Sequence, residues 1–241
     1  MSHKRKDSIL CFAGLIALCS VSAFGQKTDK DIEVAVTRSK KAAEIIQAVA
    51  SLTVDKGIPP DIVERANMIG VVPDMLRLSM VIASGNRGHG VFSVRRDSGW
   101  GLPVFFFSGG ESTDLGKIGK KHFDLVLVVV NANIDADKKD KNINDPNERP
   151  KKSEVYAYAF YDGILTALNI FPNHVFGLIK TPNVTYDDAL NKKMYGAKGN
   201  DVALGKLKGT DSETKALTTG VGAFKEALNK LYPPKQNNPK D

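Results

Sequence analysis

Apolar and polar positions change period along this chain, and each change marks an element. Over residues 28–53, Ile32, Ala35, Val36, Ser39, Ala42, Ala43, Ile46, Val49 and Ala50 recur on one stripe at helical spacing. Glu33, Arg38, Lys40, Lys41, Glu44 and Gln47 fall opposite. The pattern predicts a helix over 28–53, with Thr28 and Asp31 spaced as a cap. Gly57 and the Pro59-Pro60 pair end it, and a short helix over 61–67 follows, entered through proline.

The period then shortens. Segments 68–72, 76–83, 91–95, 104–108 and 123–130 are rich in Val, Ile and Phe and read as strands. Between them, 84–90 is glycine-rich and predicts a hairpin with a long tip, and Asp97-Ser98-Gly99 predicts a tighter turn. Phe105, Phe106 and Phe107 are consecutive, so both faces of that strand are expected to be buried, as along 125–130. Residues 131–153 are polar and charged and predict a mobile surface loop. Strands resume at 155–161 and 165–170 around an Asp162-Gly163 turn, with another at 175–180. Helices are expected over 186–195 and 216–231, stopped by Pro233 and Pro234. The tail 233–241 is expected to be disordered. These elements make the expected fold α+β: a curved, mostly antiparallel sheet packed by the first and last helices.

The first 25 residues read as a secretory signal. Lys4, Arg5 and Lys6 precede an apolar run over 9–21 that is short for a bilayer span. Ala23-Phe24-Gly25 places the expected cleavage before Gln26. A retained N-terminal anchor is one alternative. A lipoprotein attached at Cys19 is another, although Leu18 stands where a small residue is wanted. Cys11 and Cys19 are the only cysteines, so a chain cleaved at that point has neither a disulfide nor a cysteine metal site. The remaining length, 26–232, suits one domain. The formal charge is +7; the signal carries a net +2, which leaves +5. A modest positive balance favours anionic surfaces. For an exported protein that means a phospholipid headgroup or an envelope polymer, and not nucleic acid.

Signatures of chemistry fail in turn. From Gly110 to Gly116-Lys117 the spacing is one residue too long for a phosphate loop, and Ile118 replaces the hydroxyl. Gly88-x-Gly90 lacks a third small residue at Ser93 and a surrounding strand–helix unit. Asp135-x-Asp137 begins like a calcium loop, but Lys139, Asp140 and Pro146 occupy its later positions. His89, His122 and His174 have no nucleophile elbow to serve. The expectation is a non-enzyme with no cofactor and no metal.

The basic residues remain. Arg87, Arg95, Arg96, Lys117, Lys120 and Lys121 lie in or beside the glycine-rich turns, and Arg38, Lys40 and Lys41 lie on the first helix. Each reads either as ordinary solubilising charge or as part of one positive surface for headgroups. The first helix pairs its basic face with Ala, Val and Ile, which suits packing on a sheet better than insertion into an interface.

A series of segments in order then resembles one family. IPPDIVERANMIGVVP, GNRGHGVFSVRR, GWGLPVFFF, GGESTDLGKIGKKHFDLVLVVV, VYAYAFYDGILTALNI and LNKKMYG are similar to successive motifs of the lipid-binding SYLF domain family, over about residues 36–231. The polar loop 131–153 departs from the pattern, replacing a longer segment with a glycine-proline element. The resemblance implies non-catalytic binding of phosphoinositides or other anionic phospholipids. Some relatives, the yeast actin-patch proteins among them, bind actin, a partner the export signal argues against here. Bacterial relatives are exported envelope proteins. The expected function is therefore peripheral binding to an anionic phospholipid membrane surface in the periplasm or outside the cell, with phosphatidylglycerol or cardiolipin as the expected lipid. Arg87, Arg95, Arg96, Lys117, Lys120 and Lys121 are the expected headgroup contacts, with Arg38, Lys40 and Lys41 on a helix that faces the membrane if it inserts. The alternative is an envelope structural module that binds protein or polymer and has no lipid affinity.

Overall fold

In chain order the elements are helices α1 (Lys30–Ala50) and α2 (Pro60–Arg65), strands β1 (Ala66–Ser79), β2 (Ser84–Arg96), β3 (Gly99–Trp100), β4 (Val104–Glu111), β5 (His122–Val130), β6 (Glu154–Tyr161), β7 (Ile164–Leu168) and β8 (Val184–Tyr186), then helices α3 (Asp188–Tyr195), α4 (Gly199–Leu204) and α5 (Ala223–Leu231). This computed structural model describes residues 29–79, 84–111, 121–130, 154–168, 184–207 and 220–233. The signal, the loop 131–153, the strand expected at 175–180, Lys117, Lys120, His174 and the tail beyond Pro233 lie outside the described residues.

The strands form one antiparallel sheet in the order β7-β6-β5-β1-β2-β4-β8, with β3 paired to β2. It is open among the described residues. The fold is α+β, as the alternating strand and helix patterns predict. Within the central strands two segments differ from that reading. Residues 68–72 and 76–83 were expected as separate strands, but β1 runs continuously through Pro73 and Asp74. It accommodates them as one extra residue against both neighbours, between Val71 and Leu76 on the β2 side and between Val72 and Met75 on the β5 side. Asp74 takes the left-handed conformation there, φ 51°. The glycine-rich stretch 84–90 is also no hairpin tip: it is the first half of β2. A Cβ on Gly90 would lie 2.4 Å from the Phe106 ring, and one on Gly88 2.4 Å from Val72 Cγ1. These glycines admit close neighbours within a strand rather than bend the chain.

Helix α1 packs with Ala35, Ser39, Ala42, Ala43, Ile46 and Val49 buried, the stripe its spacing predicts. Its cap is Asp29, whose carboxylate accepts from the Asp31 amide. Lys193 on α3 reaches both Asp29 and Asp31 at 2.7 Å, fastening the start of α1. Ser39 Oγ donates to the Val221 carbonyl and accepts from the Phe224 amide, joining α1 to the entry of α5. Phe105 and Phe106 are fully buried, but Phe107 is 36% exposed, so only part of that aromatic run is enclosed. Strand β8 and helix α4 have no counterpart in the sequence reading, and the helix expected from 186 begins at Asp188. No helix of the described residues is long and apolar enough to cross a membrane.

Candidate functional site

Strand β2 carries the candidate basic residues at its two ends, and the ends differ. Arg87 and Arg95 are eight residues apart on one strand, about 26 Å at ~3.3 Å per residue. The single positive surface expected from the sequence is therefore divided.

At the first end, Arg87, Leu76 and His122 form one cross-strand row through β2, β1 and β5. Lys121 precedes His122, and its carbonyl accepts from the Arg77 amide at 2.8 Å. Arg87, Lys121 and Lys41 are exposed. The β-bulge lies beside this row. His122 Nδ1 is 2.8 Å from Asp74 Oδ1, and the Asp74 amide donates to Asp124 Oδ1 at 2.8 Å. Burial pushes the Asp124 carboxyl above the ordinary range; the Asp74 amide and the Lys41 charge oppose that rise. Lys41 is thus within electrostatic reach of Asp124, whereas Lys40, also exposed, lies beside Gly220 near α5. One step along β2, His89 is the cross-strand partner of Phe107, and their rings meet edge to face at 4.7 Å. His89 is held below its ordinary value by burial first and then by the Arg38 charge.

At the far end, Arg95 and Arg96 diverge into separate structural roles. Arg95 stacks on Trp100, 5.4 Å from the ring centre, and donates to the carbonyls of Glu64 and Pro233. Trp100 donates from its indole nitrogen to the Tyr232 carbonyl at 2.8 Å, and its amide donates to Asn229 Oδ1. Arg96 donates to the carbonyls of Val202 and Ala203 at the close of α4. Gly205, φ 70°, lets that guanidinium approach; a Cβ there would lie 2.1 Å from Arg96 Nη1. A cleft of about 510 Å³ opens beside Arg95, between the end of α1, the start of α2 and the end of α5.

Arg38 departs from the expected membrane-facing helix. Its side chain is 11% exposed, lies over the Phe105 ring and pairs with Asp187 at 3.6 Å. Its spacing alone places it on the polar face, because its partner Asp187 stands just ahead of α3, far away in sequence. Sequence reasoning also missed Phe107 as an exposed aromatic and the Asp74–His122–Asp124 arrangement. The only signal for the latter was a Pro-Asp pair interrupting an apolar run. Among the described residues no group of three His, Cys, Asp or Glu is placed to hold a metal ion.

No protein-family model, curated protein or solved structure matches this chain.

Proposed function

We propose that this domain binds anionic phospholipid at a membrane surface without catalysing a reaction, as an exported envelope protein. The observation that carries this reading is the first end of β2, where exposed Arg87 and Lys121 share a sheet end with the solvent-facing Phe107. A cation near an anionic bilayer contributes about 1 kcal/mol, so Arg87, Lys121 and Lys41 together favour a weak, salt-sensitive association. Phe107, 36% exposed on the neighbouring strand, adds apolar surface that such a contact can bury. The export signal read in residues 1–25 and the resemblance to SYLF domains support the same reading. Arg95 and Arg96 leave the set expected to meet the bilayer surface: they lie at the far end of β2, where their guanidinium groups also hold α2, α4 and the chain after α5.

The test is co-sedimentation of residues 26–241 with neutral and phosphatidylglycerol-rich vesicles at low and high salt. Binding to the anionic vesicles alone, weakened by salt and lost in Arg87→Glu/Lys121→Glu, is the expected result. Absence of binding in every condition overturns the reading and leaves a protein- or polymer-binding module in its place.

A further inference from the structure

The cleft at the far end of β2 combines apolar walls with one cation that lacks a counter-charge. Val49, Leu52, Val54, Ile58 and Leu231 line it, and Val54 is 75% exposed at its edge. Its volume, about 510 Å³, is within the ~300–1,000 Å³ of small-molecule sites. Arg95 is on its wall, half-buried, and among the described residues it has no carboxylate partner. Two carbonyls and the Trp100 face hold the guanidinium in place, and these use two of its five N–H donors. A partly buried cation is ordinarily paired, since desolvation without a counter-ion is costly. Here the cleft gives an anion access to the guanidinium, and the apolar walls determine what that anion would carry.

We propose that this cleft binds a single-tailed anionic amphiphile, its alkyl chain along the apolar walls and its carboxylate or phosphate against Arg95. Glu64 also lines the cleft, but its side chain is exposed, and its carbonyl, not its carboxylate, is what Arg95 contacts. Each buried CH2 contributes about 0.8 kcal/mol, so affinity rises with chain length. The site is separate from the Arg87–Lys121 end and takes up a monomer rather than a bilayer surface.

Trp100 is the only tryptophan and lies directly under Arg95, so its emission reports on the anion subsite. The protein is titrated with dodecanoate and dodecyl phosphate, each below its micelle concentration, and with dodecanol below its solubility limit. The expected result is a saturable change in Trp100 emission with the two anions and none with the alcohol, the stronger anion identifying the headgroup. Val54→Asp, at an exposed position, should weaken the response about tenfold with unchanged thermal stability. Arg95→Met should abolish it. No response to either anion, an equal response to dodecanol, or a response indifferent to Val54→Asp would each overturn the proposal. Arg87→Glu/Lys121→Glu should leave the Trp100 response intact, which keeps the fate of this site distinct from that of vesicle binding.

Discussion

Arg38 on α1 and Asp187 ahead of α3 form an ion pair of 3.6 Å with both side chains nearly enclosed, 11% and 12% exposed. Asp187 divides its carboxylate: Oδ1 caps α3 by accepting from the Leu190 amide, while Oδ2 faces Arg38. The guanidinium also covers the Phe105 ring, so the pair seals the helix layer onto β4. Removing one member of a buried pair costs about 3–5 kcal/mol, because the other charge is left uncompensated. Asp187→Asn should therefore be strongly destabilising in urea unfolding. Arg38→Met/Asp187→Asn should be less so, since both charges are gone and an apolar chain still covers Phe105. A double variant as unstable as the sum of the two singles would show that the charges are not coupled.

Arg96 is expected to act on stability rather than on membranes. Arg96→Gln removes charged donors from the Val202 and Ala203 carbonyls. A loss of about 1.5 kcal/mol follows, the low end for charged hydrogen bonds that water partly reaches. Vesicle affinity of the folded variant should equal that of the parent. Reduced affinity in a variant of unchanged melting temperature would return Arg96 to the headgroup set.

Gly90 tests whether the glycines of β2 serve packing. Its Cβ position is 2.4 Å from Phe106 and 2.9 Å from the Val71 carbonyl, and Phe106 is fully buried. Gly90→Ala should cost about 1–3 kcal/mol through overpacking. A neutral or stabilising outcome in chemical denaturation would instead mean that the ring relaxes freely.

Asp124 makes a pH-dependent contribution. Burial raises its folded-state pKa above the ordinary value of 3.8, so the folded protein favours the protonated acid. The penalty is absent well below 3.8, grows as pH rises above it, and is complete once pH has passed the raised folded value. Asp124→Asn keeps an oxygen to accept from the Asp74 amide while removing the charge. It should raise the melting temperature at pH 7, and the gain should shrink toward pH 3.8. A gain independent of pH, or a loss at neutrality, would contradict this.

Periodic burial was readable from residues alone, as α1 shows: its stripe from Ala35 to Val49 depends only on spacing. The same local logic failed at Pro73-Asp74 and at 84–90. Proline and glycine mark a turn when only neighbours in sequence are considered, but here a bulge and a close ring contact absorb them. The candidate site was legible to a similar depth. Arg87 and Lys121 were recognised as exposed charges, but how they share a sheet end depends on β1–β5 pairing across about 50 residues. Arg95, Arg96 and Arg38 look equally free in sequence. Arg95 has Trp100 close by, but Pro233, Val202 and Asp187 lie more than 100 positions from Arg95, Arg96 and Arg38 and leave no local trace.

The Ser39 tie to Val221 and Phe224 has a consequence for the order of events in folding. The two groups are separated by 182 and 185 positions, so α1 gains this partner only when residues 221–224 are present. Contacts of such span close slowly, because the intervening chain must be ordered first. A polypeptide emerging from its N-terminus therefore keeps the α5-facing side of α1 uncovered until residues 221–224 have appeared. That interval, rather than the finished fold, is when this molecule is most exposed to aggregation or in need of a chaperone.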